Sequence, residues 1–294
     1  MYVQAIERAT KFTRPLNIIL RYYNSTEVHP GAATLILLNK DGWVLTCAHV
    51  AKLLIDAEAI NKKYAEYKKE LSESIGHKKE KQILRDLERK YGYSKKSLVE
   101  LRLRFAGCVD KLSGFEIQAE PAIDIALLKF KGFTHVIADE FPIFPRDTST
   151  LKQGKFLCRL GFPFPEFQNY QYFPQTQTID WVESGRDKSP QFPIEGMLTR
   201  HVANEQGKIV GFELSTPGLK GQSGGPAFDA AGMVWGMQSQ TGHLDLDFDV
   251  NQEVFREGVR KKVTDSAFLH VGKCVHVDVI KEFLRTHNVQ FNEG

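Results

Sequence analysis

The sequence has no apolar run long enough to cross a bilayer; its longest bursts, such as Leu35 to Leu38, are the length of a strand. It does not open on an apolar leader either: Met1 to Phe12 carries Glu7, Arg8 and Lys11, which argues against a secretory signal. Cysteine is scarce and scattered. Cys47, Cys108, Cys158 and Cys274 form no C-x-x-C pair, so a metal site is not expected. An even number permits disulfides, but without an export signal free buried thiols and a cytoplasmic location are the better expectation. The formal net charge is only +3, too small to imply binding to nucleic acid or a membrane surface. There is no internal repeat and no low-complexity tract, and nothing suggests a cofactor.

What is present is an ordinary globular composition, 42% hydrophobic and 26% charged, over 294 residues. A chain of that length buries a sizeable core without staples. Most of it reads as short strands. Ala32 to Leu38 and Trp43 to Thr46 flank the turn signal Asn39-Lys40-Asp41-Gly42, which predicts a hairpin. From Ser97 to Phe105, Val99, Leu101, Leu103 and Phe105 alternate with Glu100, Arg102 and Arg104, the period of a half-buried strand. Ile123 to Phe130, Lys155 to Leu160, Lys208 to Leu214 and Met233 to Ser239 are also strand-like. Many short strands with turns between them predict an all-β barrel or sandwich.

Two stretches break that pattern. Between Lys52 and Lys96, Leu53, Ala57, Ile60, Tyr64, Tyr67, Leu71 and Ile75 recur in steps of three and four. Gly76 interrupts, and Ile83, Leu84, Leu87 and Tyr91 resume the period. This predicts an inserted helical hairpin, whose thirteen basic and eight acidic residues give it a net charge of +5. A solvated face with i,i+4 ion pairs explains that charge; so does a docking element for a regulatory protein partner. The second stretch, Val277 to His287, has Val279, Ile280, Phe283 and Leu284 on one face and predicts a terminal helix.

Three segments carry chemistry. Gly221-Gln222-Ser223-Gly224-Gly225-Pro226 surrounds a serine with glycines, which let the backbone bend and a carbonyl approach. The N–H groups of Gly221 and Ser223 are spaced so that one turn aims both at a developing oxyanion. Trp43 to Val50 is an apolar strand that ends in small residues and His49, a position suited to a rigid general base. In Ala122 to Phe130, Asp124 is embedded in apolar neighbours and needs a partner if buried. An imidazole N–H would be such a partner and would fix the base's tautomer. Each segment alone has a plainer reading: a tight turn, a structural histidine, a strand cap.

Together and in that order, T-C-A-H-V, D-I-A-L-L and G-Q-S-G-G-P resemble the trypsin/chymotrypsin-like serine peptidases, the intracellular and bacterial branch with HtrA-type catalytic domains in particular. The resemblance implies two six-stranded antiparallel β-barrels with the site in the cleft between them. On that scheme residues 1–51 and 97–145 form the first barrel, 52–96 the helical insertion, and 146–294 the second barrel with its terminal helix. The implied catalytic residues are His49, Asp124 and Ser223, with Gly221 and Ser223 as oxyanion donors. The implied substrate-binding residues are Thr216, Pro217 and Gly218, and the strand Ser239, Gln240 and Thr241, with Ser239 also supporting the aspartate. The partner would be a protein or peptide substrate, cleaved as by a serine endopeptidase; a silent barrel that only binds a partner is the competing expectation. Val50 stands where secreted members carry a cysteine, and Gln222 where zymogens carry an aspartate, so activation by a new N-terminus is not expected. No acid stands at the pocket base, where Pro217 falls, which disfavours a basic side chain there and leaves a small or medium apolar one as the expectation. No PDZ-like segment follows residue 280. Asp245, Asp247 and Asp249 resemble the start of a calcium loop, but Val250 and Arg256 stand where glycine and glutamate are needed. An acidic loop or edge strand that attracts basic residues beyond the scissile bond is the expectation instead.

Overall fold

The computed structural model describes residues 2–74, 80–256 and 258–294. Ile75 and the expected break at Gly76 lie outside the described residues. The chain opens with α1 (Val3–Phe12), which runs into β1 (Thr13–Tyr22), β2 (His29–Leu37) and β3 (Trp43–Thr46). The expected β2–β3 hairpin forms, and its turn is held by the Asn39 side chain, which accepts the Asp41 N–H at 3.0 Å. Then come α2 (Ala48–Glu73) and α3 (Glu80–Tyr91), followed by β4 (Leu98–Phe105), β5 (Gly114–Glu120) and β6 (Ile125–Lys131). These six strands form one sheet in the order β4-β1-β2-β3-β6-β5.

A short β7 (Ile143–Phe144) and β8 (Phe156–Gly161) lead into the second half. There follow β9 (Tyr170–Phe173), β10 (Thr178–Trp181), β11 (Phe192–Ala203), β12 (Ile209–Leu214), β13 (Pro226–Phe228), β14 (Val234–Arg256) and β15 (Val259–His276). The chain ends with α4 (Val277–Thr286) and β16 (Asn292–Glu293). Strands β11-β12-β15-β14-β13-β8 close into a barrel, and β11 returns to β8 antiparallel.

Two closed barrels are expected from the sequence, and one is found. In the first sheet β4 and β5 are edges, joined among the described residues by side chains and not by a ladder. Phe105 meets Phe115 and Phe130 edge-on there, with ring centroids 5.4 and 4.9 Å apart. Part of the β4 edge is satisfied by α2: Asn61 donates to the Leu101 carbonyl at 2.8 Å and accepts its N–H at 3.0 Å. Covering an edge with a helix removes unpaired backbone groups that would otherwise attract another strand.

The helical hairpin is packed, not merely tethered. Tyr64, Tyr67 and Leu87 form a separate core with Tyr23 and Val99. The Tyr23 and Tyr67 hydroxyls are 2.5 Å apart, and Tyr23 also donates to Glu88 at 2.9 Å. The same packing corrects the expectation for β4. Glu100 does not face water: it is 3% exposed, and so is Arg21, whose Nε donates to it at 2.6 Å. The Arg21 guanidinium lies over the Tyr64 and Tyr172 rings. Buried, the pair is sensitive to removal of one member. Arg21→Ala is expected to destabilise the fold by about 3–5 kcal/mol, read as a lower midpoint of urea unfolding, and an Arg21→Met/Glu100→Leu double variant should lose much less.

Candidate active site

His49 stands in the first turn of α2, immediately after β3 ends. Its side chain is about half exposed, at 47%. Asp124 follows the single 3-10 turn Pro121–Ile123 and takes the left-handed conformation, φ 53° and ψ 46°. Aspartate is one of the few residues that enters that region without heavy cost. The turn points its carboxylate at the start of α2. Oδ1 accepts the His49 N–H at 3.0 Å, and Nδ1 of the ring lies 3.0 and 2.9 Å from Oδ1 and Oδ2. Ser239 on β14 donates its hydroxyl to Oδ2. Burial by itself would raise the Asp124 pKa, but the bonds from His49 and Ser239 outweigh it and hold the carboxyl below its ordinary range.

Ser223 lies on the loop between β12 and β13. Its Oγ donates to the Ser239 carbonyl at 3.1 Å. Among the described residues no hydrogen bond joins it to His49. Such contacts are commonly long without substrate and tighten in the loaded complex. The loop is held on both sides. Gln222 N–H closes a turn onto Leu219 O at 2.9 Å, with Gly221 at φ +97°. A four-residue turn with a positive φ at its third position has its middle peptide turned over, and glycine suits it. Among the described residues, the N–H groups of Gly221 and Ser223 donate to no other group. The Gln222 side chain is fully buried, accepts from Leu219 N–H at 3.0 Å and donates to Phe192 O at 3.1 Å.

The other anchor is Thr34 on β2, which is not apparent from the sequence. Its N–H donates to Ser223 O at 2.9 Å, and its hydroxyl donates to Gly221 O at 2.7 Å. Contact between the two halves is close here: a Cβ on Gly224, at φ +89°, would sit 2.0 Å from the Thr34 carbonyl oxygen. Thr34 sits in an apolar strand with nothing to mark it, so only the fold brings it to the loop.

The two expected pocket walls come together. Thr241 donates its hydroxyl to Gly218 O at 2.6 Å, and Gln238 Nε2 donates to Gln240 O at 2.8 Å. Arg159 of β8, which nothing in its strand pattern marks, reaches Thr216 and Pro217 between them. Next to Asp124 a cleft is lined by Ile123, Val210, Phe212, Ser239 and Gln240. The acidic segment Asp245 to Asp249 belongs to the β14–β15 hairpin, which extends well past the barrel.

Cys47, His49 and Asp124 bring donor atoms within 4.8 Å of one another. Burial pushes the Cys47 thiol well up, and it donates to Gln238 O at 3.3 Å, so it is a poor thiolate ligand. All four cysteines are free and buried. Among the described residues no helix is long and apolar enough to cross a membrane.

Residues 33–237 match the trypsin-like peptidase domain family, and the chain belongs to that family. No curated protein sequence matches it. Among solved structures, it is similar to the HtrA-type protease AlgW with a tripeptide, at 13% identity and a TM-score of 0.47. That likeness covers 97% of this chain and 63% of AlgW. It is also similar to the Rv3671c protease of M. tuberculosis in its active form, at 11% identity and a TM-score of 0.47, covering 97% and 86% of the two chains. The chain thus spans somewhat less than two thirds of the length of AlgW.

The lowered pKa of Asp124 has a definite sign in stability. A carboxyl held below its unfolded value contributes stability above the unfolded value, about 3.9, and loses it as pH falls through the folded value. The stability gap between the wild type and Asp124→Asn should therefore be widest near neutrality and close below about pH 3.9, measured by urea unfolding across the range.

Proposed function

We propose that this chain is a serine endopeptidase in which Ser223, His49 and Asp124 act as a triad. The observation that carries the reading is the double hold of Asp124 on His49, through the backbone N–H and Nδ1 together, beside a serine loop fastened to the same sheet. With Nδ1–H committed to the carboxylate, Nε2 is left as the free base. Ser223 Oγ attacks the peptide carbonyl carbon while His49 Nε2 takes its proton. The N–H groups of Gly221 and Ser223 stabilise the oxyanion. The C–N bond then breaks, the amine leaves with the proton from His49, and water hydrolyses the acyl ester by the same relay in reverse. The first step requires the Ser223 hydroxyl to leave Ser239 O and turn toward His49 Nε2.

The open sheet and the closed barrel are, on this reading, the two halves of the family's double-barrel architecture. Residues 1–51 and 97–145 make the first, and 146–294 the second, with 52–96 inserted. Gln222 satisfies its turn from within the chain, which supports a loop formed without activation cleavage. Four unpaired thiols support a reducing compartment such as the cytoplasm. A protein or peptide is the implied substrate. Control through a protein partner at the basic hairpin has a physical route, because the first turn of α2 carries His49 and its later turns carry Tyr67 of the tyrosine core.

Wild-type protein should take a fluorophosphonate label on Ser223 and Ser223→Ala should take none, read by intact mass. Asp124→Asn should lower kcat by about 10⁴-fold. A wild type that stays unlabelled while still capturing a partner would mark a silent binding scaffold instead. Tyr67→Ala, which loosens α2 from Tyr23 and β4, should change the labelling rate at Ser223 several-fold if control runs through the hairpin; an unchanged rate would leave the insertion purely structural.

A further inference from the structure

Arg159 has a charge with no counter-charge. It lies on β8 with 0% exposure, and among the described residues no carboxylate comes within ion-pairing distance of it. Its partners are all neutral acceptors. Nη1 donates to Gln238 Oε1 at 2.6 Å. Nη2 donates to Thr216 O at 2.9 Å, Thr216 Oγ1 at 2.5 Å and Pro217 O at 3.2 Å. Nε has no partner. The nearby Cys158 and Cys274 thiols offer no negative charge, since burial pushes them up to about 11 and about 12. Space is reserved for the guanidinium: a Cβ on Gly272 would sit 2.0 Å from Nη1.

The position of that charge matters more than its burial. One side of it is the segment Thr216 to Gly218, and the other is β14 from Gln238 to Thr241. These are the two walls between which a side chain next to the scissile bond would enter. Gln238 also fixes the nucleophile loop, its carbonyl accepting Gly224 N–H and its N–H donating to Gly225 O, both at 2.8 Å. Two groups close the space between the walls: the Thr241 hydroxyl bound to Gly218 O, and the Gln238 carboxamide bound to Arg159 and Gln240 O. Both can turn. The Thr241 O–H, the Gln238 NH₂ and the Arg159 guanidinium would then present donors to a group placed between the walls. A ligand that only accepts, and that carries negative charge, satisfies all three.

We propose that Arg159 sets the specificity of this pocket, and that the residue it takes on the acyl side of the scissile bond is acidic, aspartate or glutamate. This rests on the peptidase reading above and replaces the small apolar side chain that the sequence suggests. An apolar side chain would leave the guanidinium uncompensated, and a basic one would set like charges together; both are disfavoured in a dry site. An incoming carboxylate supplies the missing partner in a charge-assisted, fork-shaped bond.

The test uses peptidyl diphenyl phosphonates that differ only in the side chain entering the pocket: glutamate, leucine or lysine analogues. The rate at which each modifies Ser223 of the full chain is read by intact mass. The glutamate probe should react about tenfold or more faster than either of the others, as a bond to a charged group supports. Arg159→Met should lose that preference or reverse it toward leucine, and Arg159→Lys should keep part of it. Equal or faster reaction of the leucine or lysine probe with wild type overturns the proposal, and this comparison stands even if the Arg159 variants do not fold. A plain fluorophosphonate serves as the control. Labelling by it without a glutamate preference sinks only the pocket assignment; no labelling at all sinks the peptidase reading and the assignment with it.

Discussion

The junction of Thr34 with the serine loop is the constraint on which the site depends. On the proposed reading, a nucleophile in one half of the molecule and a base in the other are useful only if their separation is fixed. Thr34 fixes it with two short bonds to the loop, one to Ser223 O and one to Gly221 O. Thr46 of β3 donates to the Thr34 carbonyl at 2.9 Å, which ties the strand leading to His49 into the same junction. Thr34 and Thr46 are both fully buried, so water does not compete for these bonds. From the opposite side, Ser239 of the barrel bonds Asp124 of the first sheet. Each half therefore holds, by hydrogen bonds, a candidate site residue that belongs to the other.

The helical insertion acts on this arrangement because of where it begins. The apolar period in the sequence starts near Lys52, yet the helix starts at Ala48. His49 thus belongs to the helix, and its N–H is one of the free donors of the first turn. Asp124 accepts that donor and the ring Nδ1 together. The carboxylate caps the helix, in effect, while it orients the imidazole. Further along, Tyr67 and Asn61 bind the helix to Tyr23 and to β4. The imidazole is consequently as rigid as the packing of a 26-residue helix.

How much of this was legible in the sequence follows from range. The β2–β3 hairpin, the alternation in β4 and the terminal helix are set by neighbours in the chain, and local pattern is enough to read them. His49, Asp124 and Ser223, the residues of the proposed triad, each sit in a distinctive local setting: small residues after a strand, an acid among apolar residues, a serine among glycines. Thr34, Asn61 and Arg159 have no such setting. Each does its work through a partner far away in sequence, and an uncharged or charged residue in a strand gives no sign of that partner. Glu100 failed in the opposite direction. Alternation placed it toward water, but a helix and an arginine cover that face. The missing ladder between β4 and β5 was likewise out of reach, because closure depends on where two distant edges end and not on either edge's pattern.

Comparison with the other buried charges sets Arg159 apart. Arg21 is paired with Glu100, and the buried Glu213 with Arg200. Lys281, 5% exposed, lies 3.4 Å from Asp278 and 3.3 Å from Glu293 and donates to Pro145 O. Each of these is neutralised by a residue of the same chain. Burial of an ion is tolerated when its partner is buried or half-buried with it. Arg159 is treated differently, with four neutral acceptors and a glycine that makes room for it. A merely structural arginine in that place would gain from a carboxylate on any adjoining strand. Leaving it unneutralised weakens the fold, and it makes sense where the negative charge arrives from outside and is needed only while it is there.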